Sequence, residues 1–293
     1  MKFEPIASGF GLTEAPHADV RGVWFSDMAV GGIRCLRSDG RIDAWLTERK
    51  TIGGIAFNRD NRIICSGTGG LVWLDPETGS SGSLLDNIDG RPIGGINDMI
   101  ANRHGGLFFG LVDHPSMFRG ERMGPSALCR FDADGRVALL RDGLRFANGF
   151  GISPDGTTLY HNDSSRGTCA YTLAADGSLS GDSMLCEYGD CDGLAVDGEG
   201  GVWIARIVSG VIIRVMPGGA VAAEYAVPGG HVTSLCFGGA DLRDLYVTTA
   251  APDGGAAVMK RTIPSALTGT IYRARADVAG MPDARTAFRL PED

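Results

Sequence analysis

Four residues with oxygen-bearing side chains, Glu14, Asn97, Asn148 and Asp192, each stand at the start of a stretch in which apolar residues alternate. Carboxylate and amide oxygens are the ligands that hard divalent cations prefer. Two carboxylates balance the charge of one such ion and leave positions open for water and substrate. If the fold brings the four residues together, we expect one divalent metal ion there: calcium, with magnesium, manganese, zinc or iron(II) as alternatives.

These four residues belong to a series of six similar units. Each unit has a polar opening, an alternating apolar run, a turn rich in Gly and Asp, and a second hydrophobic run. The units open at Glu14, Gly53, Asn97, Asn148, Asp192 and Thr233. Successive opening residues are 39, 44, 51, 44 and 41 positions apart. A period of about 40–50 residues is typical of propellers and solenoids. In a ring of such units, equivalent positions point towards one axis, where distant residues meet.

The turns within each unit predict the fold. Asp155-Gly156 is a strong hairpin signal between two alternating runs, and a second turn, such as Ala175-Asp176-Gly177, follows in most units. Each unit therefore holds about four strands, the content of one propeller blade. We expect an all-β, six-bladed β-propeller forming a single domain, residues 1–293. We also expect the N-terminal strand to pair with the last blade, because this closure removes exposed sheet edges.

Composition narrows the range of partners. The net charge of −8 is a poor match to nucleic acid or to an anionic membrane. The sequence lacks a long apolar run for a membrane span and an N-terminal secretion signal, which indicates a cytoplasmic protein. Seven cysteines occur without a CxxC motif, as expected for reduced, buried thiols. We therefore expect a small-molecule substrate and a monomer or homodimer.

Several segments in this order resemble the senescence marker protein / gluconolactonase / luciferin-regenerating enzyme family. Those that carry the resemblance include LTEAPHADVRGVWFSDM (12–28), GINDMIANRHGGLFFG (95–110), FANGFGISPDGTTLYHNDS (146–164) and CDGLAVDGEGGVWIA (191–205). The resemblance implies a six-bladed propeller with one divalent metal near the top of its central channel. It implies that Glu14, Asn148 and Asp192 are the metal ligands, that Asp192 is also the general base, and that Asn97 takes part in catalysis and holds the substrate.

The resemblance also implies lactone hydrolysis, with one departure that concerns the substrate. Members that act on sugar lactones have an arginine two residues before the asparagine that corresponds to Asn97, and this chain has Gly95 there. We expect an apolar, roomier wall at this position, next to apolar neighbours such as Phe150. The substrate is then a lactone more hydrophobic or aromatic than gluconolactone.

Three further residues are candidates for contact with the substrate. Asp113 and His114 open an irregular segment, residues 113–124, which we expect to overhang the channel, and loops in such positions shape specificity. His231 lies two residues before Thr233, where the last unit opens. His161, inside a strand-like run, is expected to be a packed histidine.

Other functions remain open from the sequence. The same metal site suits a lyase, an isomerase or an ether-cleaving enzyme that acts on an aromatic substrate, and a non-catalytic calcium-binding regulator would need the same ligands. A serine hydrolase is disfavoured because the sequence has no G-x-S-x-G motif. A protein-binding propeller is disfavoured because the repeated Gly-His and Trp-Asp dipeptides of that class are missing.

Overall fold

The structure, a computed structural model, describes residues 1–291. It contains six four-stranded antiparallel β-sheets, which form the blades of a six-bladed propeller, as the repeat predicts. Blade III has a short fifth strand contributed by blade II. The last two residues of the expected domain, 292 and 293, lie outside the described part.

The strands follow the chain from the centre of each blade to its edge. After β1 (Glu4–Phe10), blade I contains β2 (Thr13–Asp19), β3 (Gly22–Asp27), β4 (Ile33–Leu36) and β5 (Ile42–Trp45). Blade II and the hairpin after it contain β6 (Ile55–Phe57), β7 (Ile63–Cys65), β8 (Gly67–Thr68), β9 (Leu71–Leu74), β10 (Ser81–Leu85), β11 (Asn87–Ile88) and β12 (Arg91–Pro92). Blade III contains β13 (Gly95–Ala101), β14 (Leu107–Leu111), the helix α1 (His114–Phe118), β15 (Ser126–Phe131) and β16 (Val137–Leu144).

The second half of the chain repeats this order. Blade IV contains β17 (Ala147–Ile152), β18 (Thr158–Asp163), β19 (Gly167–Leu173) and β20 (Leu179–Cys186). Blade V contains β21 (Cys191–Val196), β22 (Val202–Arg206), β23 (Val211–Val215) and β24 (Val221–Ala226). Blade VI contains β25 (Val232–Gly238), β26 (Asp244–Thr249), the helix α2 (Gly254–Lys260) and β27 (Gly269–Arg275). Among residues 1–291, neither helix nor any other helical segment is long and apolar enough to span a bilayer.

The ring closes where β1 pairs antiparallel with β27, so the N-terminal strand is the outer strand of blade VI, as expected. Side chains reinforce the seam between blades VI and I. Thr13 Oγ1 donates to the carbonyl of Thr249 at 2.7 Å, and Thr233 Oγ1 donates to the carbonyl of Thr13 at 2.6 Å. Thr233, which opens the sixth unit, is therefore a structural residue of this seam.

Apolar clusters between neighbouring blades form the core, since the alternating residues of each sheet pack against the next sheet. The chain after β27 then runs along the face of the ring opposite to the opening residues. On that face Thr286 pairs with Asn58, and the Phe288 ring stacks on Phe131 with centroids 4.7 Å apart. His17 Nδ1 lies 2.7 Å from Asp283 Oδ2. This tail narrows the far end of the channel.

Candidate metal centre

Five of the six central strands carry a β-bulge close to the residue that opens the unit. The register shifts fall between Glu14 and His17 in β2, Ile96 and Met99 in β13, Ala147 and Phe150 in β17, Cys191 and Leu194 in β21, and Val232 and Ser234 in β25. A bulge bends the strand and redirects a side chain, and it is common beside functional sites. The repeated bulges are the local feature that positions the opening residues at the channel.

The structure brings the four candidate ligands together at one end of the channel. Glu14, Asn97, Asn148 and Asp192 are all buried, with 5–8% of each residue exposed. Asn97 Nδ2 donates to Asn148 Oδ1 at 3.2 Å and to the carbonyl of Ala147 at 3.1 Å. The side chain of Asn148 lies close enough to Asp192 to favour its ionised form, and the carboxyl group of Asp192 lies close enough to Glu14 to repel it.

Neighbouring groups hold these side chains in place. Asn148 Nδ2 donates to Ser164 Oγ at 3.2 Å, and Ser164 donates to the carbonyl of Cys191 at 2.7 Å. Ser234 lies close enough to Glu14 to favour its ionised form. Gly149 has no side chain because a Cβ there would lie 2.5 Å from the carbonyl oxygen of Asp192, so the residue permits the close approach of β17 and β21.

The carboxyl groups of the site do not ionise easily together. Burial, together with the charges of Asp192 and Asp98, raises the pKa of Glu14 well above its usual range. Burial also raises the pKa of Asp192 well above its usual range, against the effect of the nearby Asn148 side chain, and burial raises the pKa of Asp98 to about 7. A nearby positive charge would favour the ionised form of these three groups, of which Glu14 and Asp192 are buried and Asp98 is half-buried.

The donor set fits a hard divalent cation, with oxygen atoms from Glu14, Asn148 and Asp192. Within residues 1–291, no three His, Cys, Asp or Glu side chains gather in a way that would hold a metal by themselves. An amide oxygen is therefore needed to complete the set, and such oxygens are ordinary ligands for calcium. The assignment of these three residues as ligands stays a prediction.

A cavity of about 370 Å³ lies beneath the ligands, inside the ring. Its lining includes Asp98, Ser234, His17 and Asp283. Phe150 also lines this cavity and packs on the buried His161 ring, with centroids 4.8 Å apart. The structure thus places Phe150 in the channel below the ligands. His161 is fully buried, as the sequence predicts.

The segment after β14 corrects two expectations. Residues 114–118 form α1, and Asp113 caps this helix by accepting from the backbone N–H groups of Ser116 and Gly124, both at 3.1 Å. These bonds give Asp113 a structural role, and the contacts of Asp113 and His114 with the substrate stay predictions. The expected roomier wall at Gly95 is wrong, because the ring of His114 fills the space that a side chain at Gly95 would take. His114 is 1% exposed, and its Nδ1 lies 3.0 Å from Thr68 Oγ1.

The surroundings of the site also include Asp98 and two serines, and the serines were not among the candidates from the sequence. Asp98 directly follows Asn97, and only the bulge in β13 explains how both side chains reach the channel. Ser164 and Ser234 support the ligands although neither belongs to a serine motif. His231, a candidate from the sequence, is half-buried before β25 with a left-handed φ of 49°, and its role in substrate contact stays a prediction.

The fold and site together define a six-bladed propeller with a buried carboxylate–amide cluster at one end of its channel. Residues 12–251 match the SMP-30/Gluconolactonase/LRE-like region, and the chain belongs to this family. It is 29% identical to pentonolactonase XacC of Haloferax volcanii, over 95% of this chain and 96% of that protein. It is 27% identical to a 6-deoxy-6-sulfogluconolactonase of Pseudomonas putida, over 92% of each chain.

Among solved structures, the fold is similar to that of a calcium-binding protein, regucalcin, from Agrobacterium tumefaciens. The TM-score is 0.80 and the identity is 24%, with 98% of this chain and 97% of that chain covered. The likeness in fold covers nearly the whole chain.

Proposed function

We propose that the protein is a metal-dependent lactonase, which adds water to a lactone and opens it to a hydroxy acid. The observation that carries this proposal is the burial of two carboxylates and two amides together at one end of the channel, in a member of a family that includes named lactonases. Glu14, Asn148 and Asp192 are the proposed ligands of one divalent ion, and calcium is the ion that we expect first.

The bound ion would supply a Lewis acid that stabilises the negative charge on the carbonyl oxygen of the substrate. Asp192 is the proposed general base, which takes a proton from the attacking water. Asn97 is held by its Nδ2, so its Oδ1 is left to accept a hydrogen bond from the substrate. Burial of these side chains excludes bulk water and strengthens each of these interactions.

We infer a substrate more apolar or aromatic than gluconolactone. Position 95 has no cation, and the neutral ring of His114 lies there instead. The helix α1 adds Phe118, whose ring lies 5.6 Å from the His114 ring between centroids, and the half-buried Met117. Such a wall suits the apolar body of a small molecule better than a sugar with many hydroxyl groups.

Steady-state kinetics with dihydrocoumarin and gluconolactone test this proposal. We expect a higher kcat/KM for the aryl lactone, loss of turnover with a chelator, and recovery on return of calcium. Asp192→Asn should lower kcat by at least about a hundredfold, since a general base contributes about 10²–10⁴-fold, with the fold intact by circular dichroism. His104→Phe, on the opposite face, is the matched control.

A preference for gluconolactone would refute the substrate class, and near-normal activity of Asp192→Asn would refute its role as base. Product analysis separates the alternatives. A hydroxy acid that carries one added water identifies hydrolysis, whereas a product without added water identifies lyase or isomerase chemistry. Stoichiometric calcium binding without turnover of any lactone would identify a regulator.

A further inference from the structure

The ring of His114 is held by a chain of hydrogen bonds whose direction can be worked out. Thr51 Oγ1 lies 2.6 Å from the carbonyl oxygen of Lys50, to which it donates its single proton. Thr51 Oγ1 must then accept from Thr68 Oγ1, at 2.8 Å, as it does from the Thr68 backbone N–H at 3.2 Å. Thr68 has thereby used its own proton, so at 3.0 Å it accepts from His114 Nδ1.

This chain fixes the tautomer of the imidazole. Burial, with the charge of Arg49 nearby, lowers the pKa of His114 to about 4, so the ring is neutral near pH 7 and carries one proton. With that proton on Nδ1, Nε2 has a free lone pair. Within residues 1–291, Nε2 makes no hydrogen bond, yet it is not among the buried polar atoms that lack a partner. It is therefore the polar atom through which this almost fully buried ring meets solvent.

The His114 ring, and with it the lone pair on Nε2, lies against the strand that carries Asn97. His114 lies on Gly95, which pairs with Thr68 and stands two residues before Asn97. Phe118 packs against the ring, with centroids 5.6 Å apart, so the imidazole cannot turn away easily. The chain thus has a fixed hydrogen-bond acceptor over Gly95, in the same strand as Asn97 and two residues before it.

We propose that His114 determines specificity among apolar lactones by offering Nε2 as an acceptor to a hydroxyl group of the substrate, so that a hydroxylated apolar lactone is preferred over the same lactone without the hydroxyl group. This inference rests on the proposed lactonase function and names the group that the site recognises. An acceptor that is buried and fixed discriminates against a substrate without the donor, because the lone pair is then left unpaired.

Long-range ¹H–¹⁵N spectra of the ring test the tautomer without any substrate. We expect a protonated Nδ1 and a bare Nε2 at pH 7, and in Thr68→Val a mixture of tautomers. Spectra that show a protonated Nε2 in the wild-type protein would overturn the inference. This result does not depend on lactonase activity, so the inference and the proposed function can fail separately.

Kinetics then test recognition, with γ-butyrolactone and its α-hydroxy and β-hydroxy derivatives. We expect the wild-type protein to prefer a hydroxylated lactone by about tenfold in kcat/KM, the size of one hydrogen bond. His114→Phe should bring this ratio close to one, and Thr68→Val should lower it while the ring stays in place. His104→Phe, on the far face, should keep the wild-type ratio. An unchanged ratio in His114→Phe, or no preference in the wild-type protein, would refute the role.

Discussion

The contact between Gly95 and His114 predicts a large effect from the smallest possible substitution, Gly95→Ala. A Cβ at position 95 would lie 2.8 Å from Cε1 of the His114 ring and closer still to Nδ1 and Cγ. The ring cannot yield at low cost, since Thr68 and Phe118 hold it on two sides. Overpacking costs about 1–3 kcal/mol, and loss of the hydrogen bond to Thr68 adds about 0.5–1.5 kcal/mol. We therefore expect Gly95→Ala to lower the free energy of unfolding by about 2–4 kcal/mol.

Thermal and urea unfolding of four proteins measure this effect: wild type, Gly95→Ala, His114→Ala and the double variant. At about 2 °C per kcal/mol for a chain of this size, Gly95→Ala should lower Tm by about 4–8 °C. On the His114→Ala background the same change should cost less than about 0.5 kcal/mol, because nothing is left to collide with. Gly218→Ala is the matched control, since a Cβ there meets no atom within 4 Å. Equal costs of Gly95→Ala in both backgrounds would refute the reasoning.

Three more predictions concern stability and the metal. Burial lowers the pKa of His161 to about 3, so only the unfolded state takes up a proton at this residue as pH falls from about 6.5. The free energy of unfolding of the wild-type protein should therefore fall by up to about 1.4 kcal/mol per pH unit below this pH. The urea midpoint of His161→Phe should depend less steeply on pH than that of the wild-type protein. Asp163→Ala should cost about 1–3 kcal/mol in urea unfolding, because Asp163 accepts from the backbone N–H groups of Arg145 and Phe146, at 2.8 and 2.9 Å, just before Asn148; Asp155→Ala, at an exposed turn, is its control. Calcium at about a hundred times its Kd should raise stability by about 2.7 kcal/mol, a shift in calorimetric Tm that Glu14→Gln should abolish; an equal shift in that variant would exclude Glu14 as a ligand.

The fold could be predicted because it follows from a property that repeats. Alternation at period two gives strands, hairpin signals such as Asp155-Gly156 give their order, and a unit length near that of one blade gives the number of blades. The pairing of β1 with β27 follows from the need to cover an edge. The tail over the far face could not be predicted, since its contacts, such as Phe288 on Phe131, depend on tertiary position alone.

The candidate site could be predicted only as a set of residue types at equivalent positions. That the side chains of Glu14, Asn97, Asn148 and Asp192 gather is a consequence of the ring. The bulges that direct them have no signature in the repeat, because strict alternation would send adjacent residues such as Asn97 and Asp98 to opposite faces.

The glycine at position 95 did not indicate empty space. Gly95 suggests room when the sequence is considered alone, but His114, 19 residues further on, occupies the space. The helix that carries His114 spans only five residues, too few for a helical period to be recognised. A glycine in a central strand indicates close approach by another group as readily as it indicates a pocket.

The arrangement of the candidate ligands depends on closure of the propeller ring. Glu14 and Asp192 come from blades I and V, and blade VI lies between them in the ring. In blade VI the N-terminal strand β1 pairs with β27, and Thr13, the neighbour of Glu14, is hydrogen-bonded across the seam to Thr249 and Thr233. Glu14 and Asp192 would repel each other at this short distance, and without the closed ring they would move apart. Packing of the closed ring keeps them close together. The folded ring therefore tolerates repulsion between the two carboxyl groups, and a cation bound between them, as proposed, would relieve this repulsion.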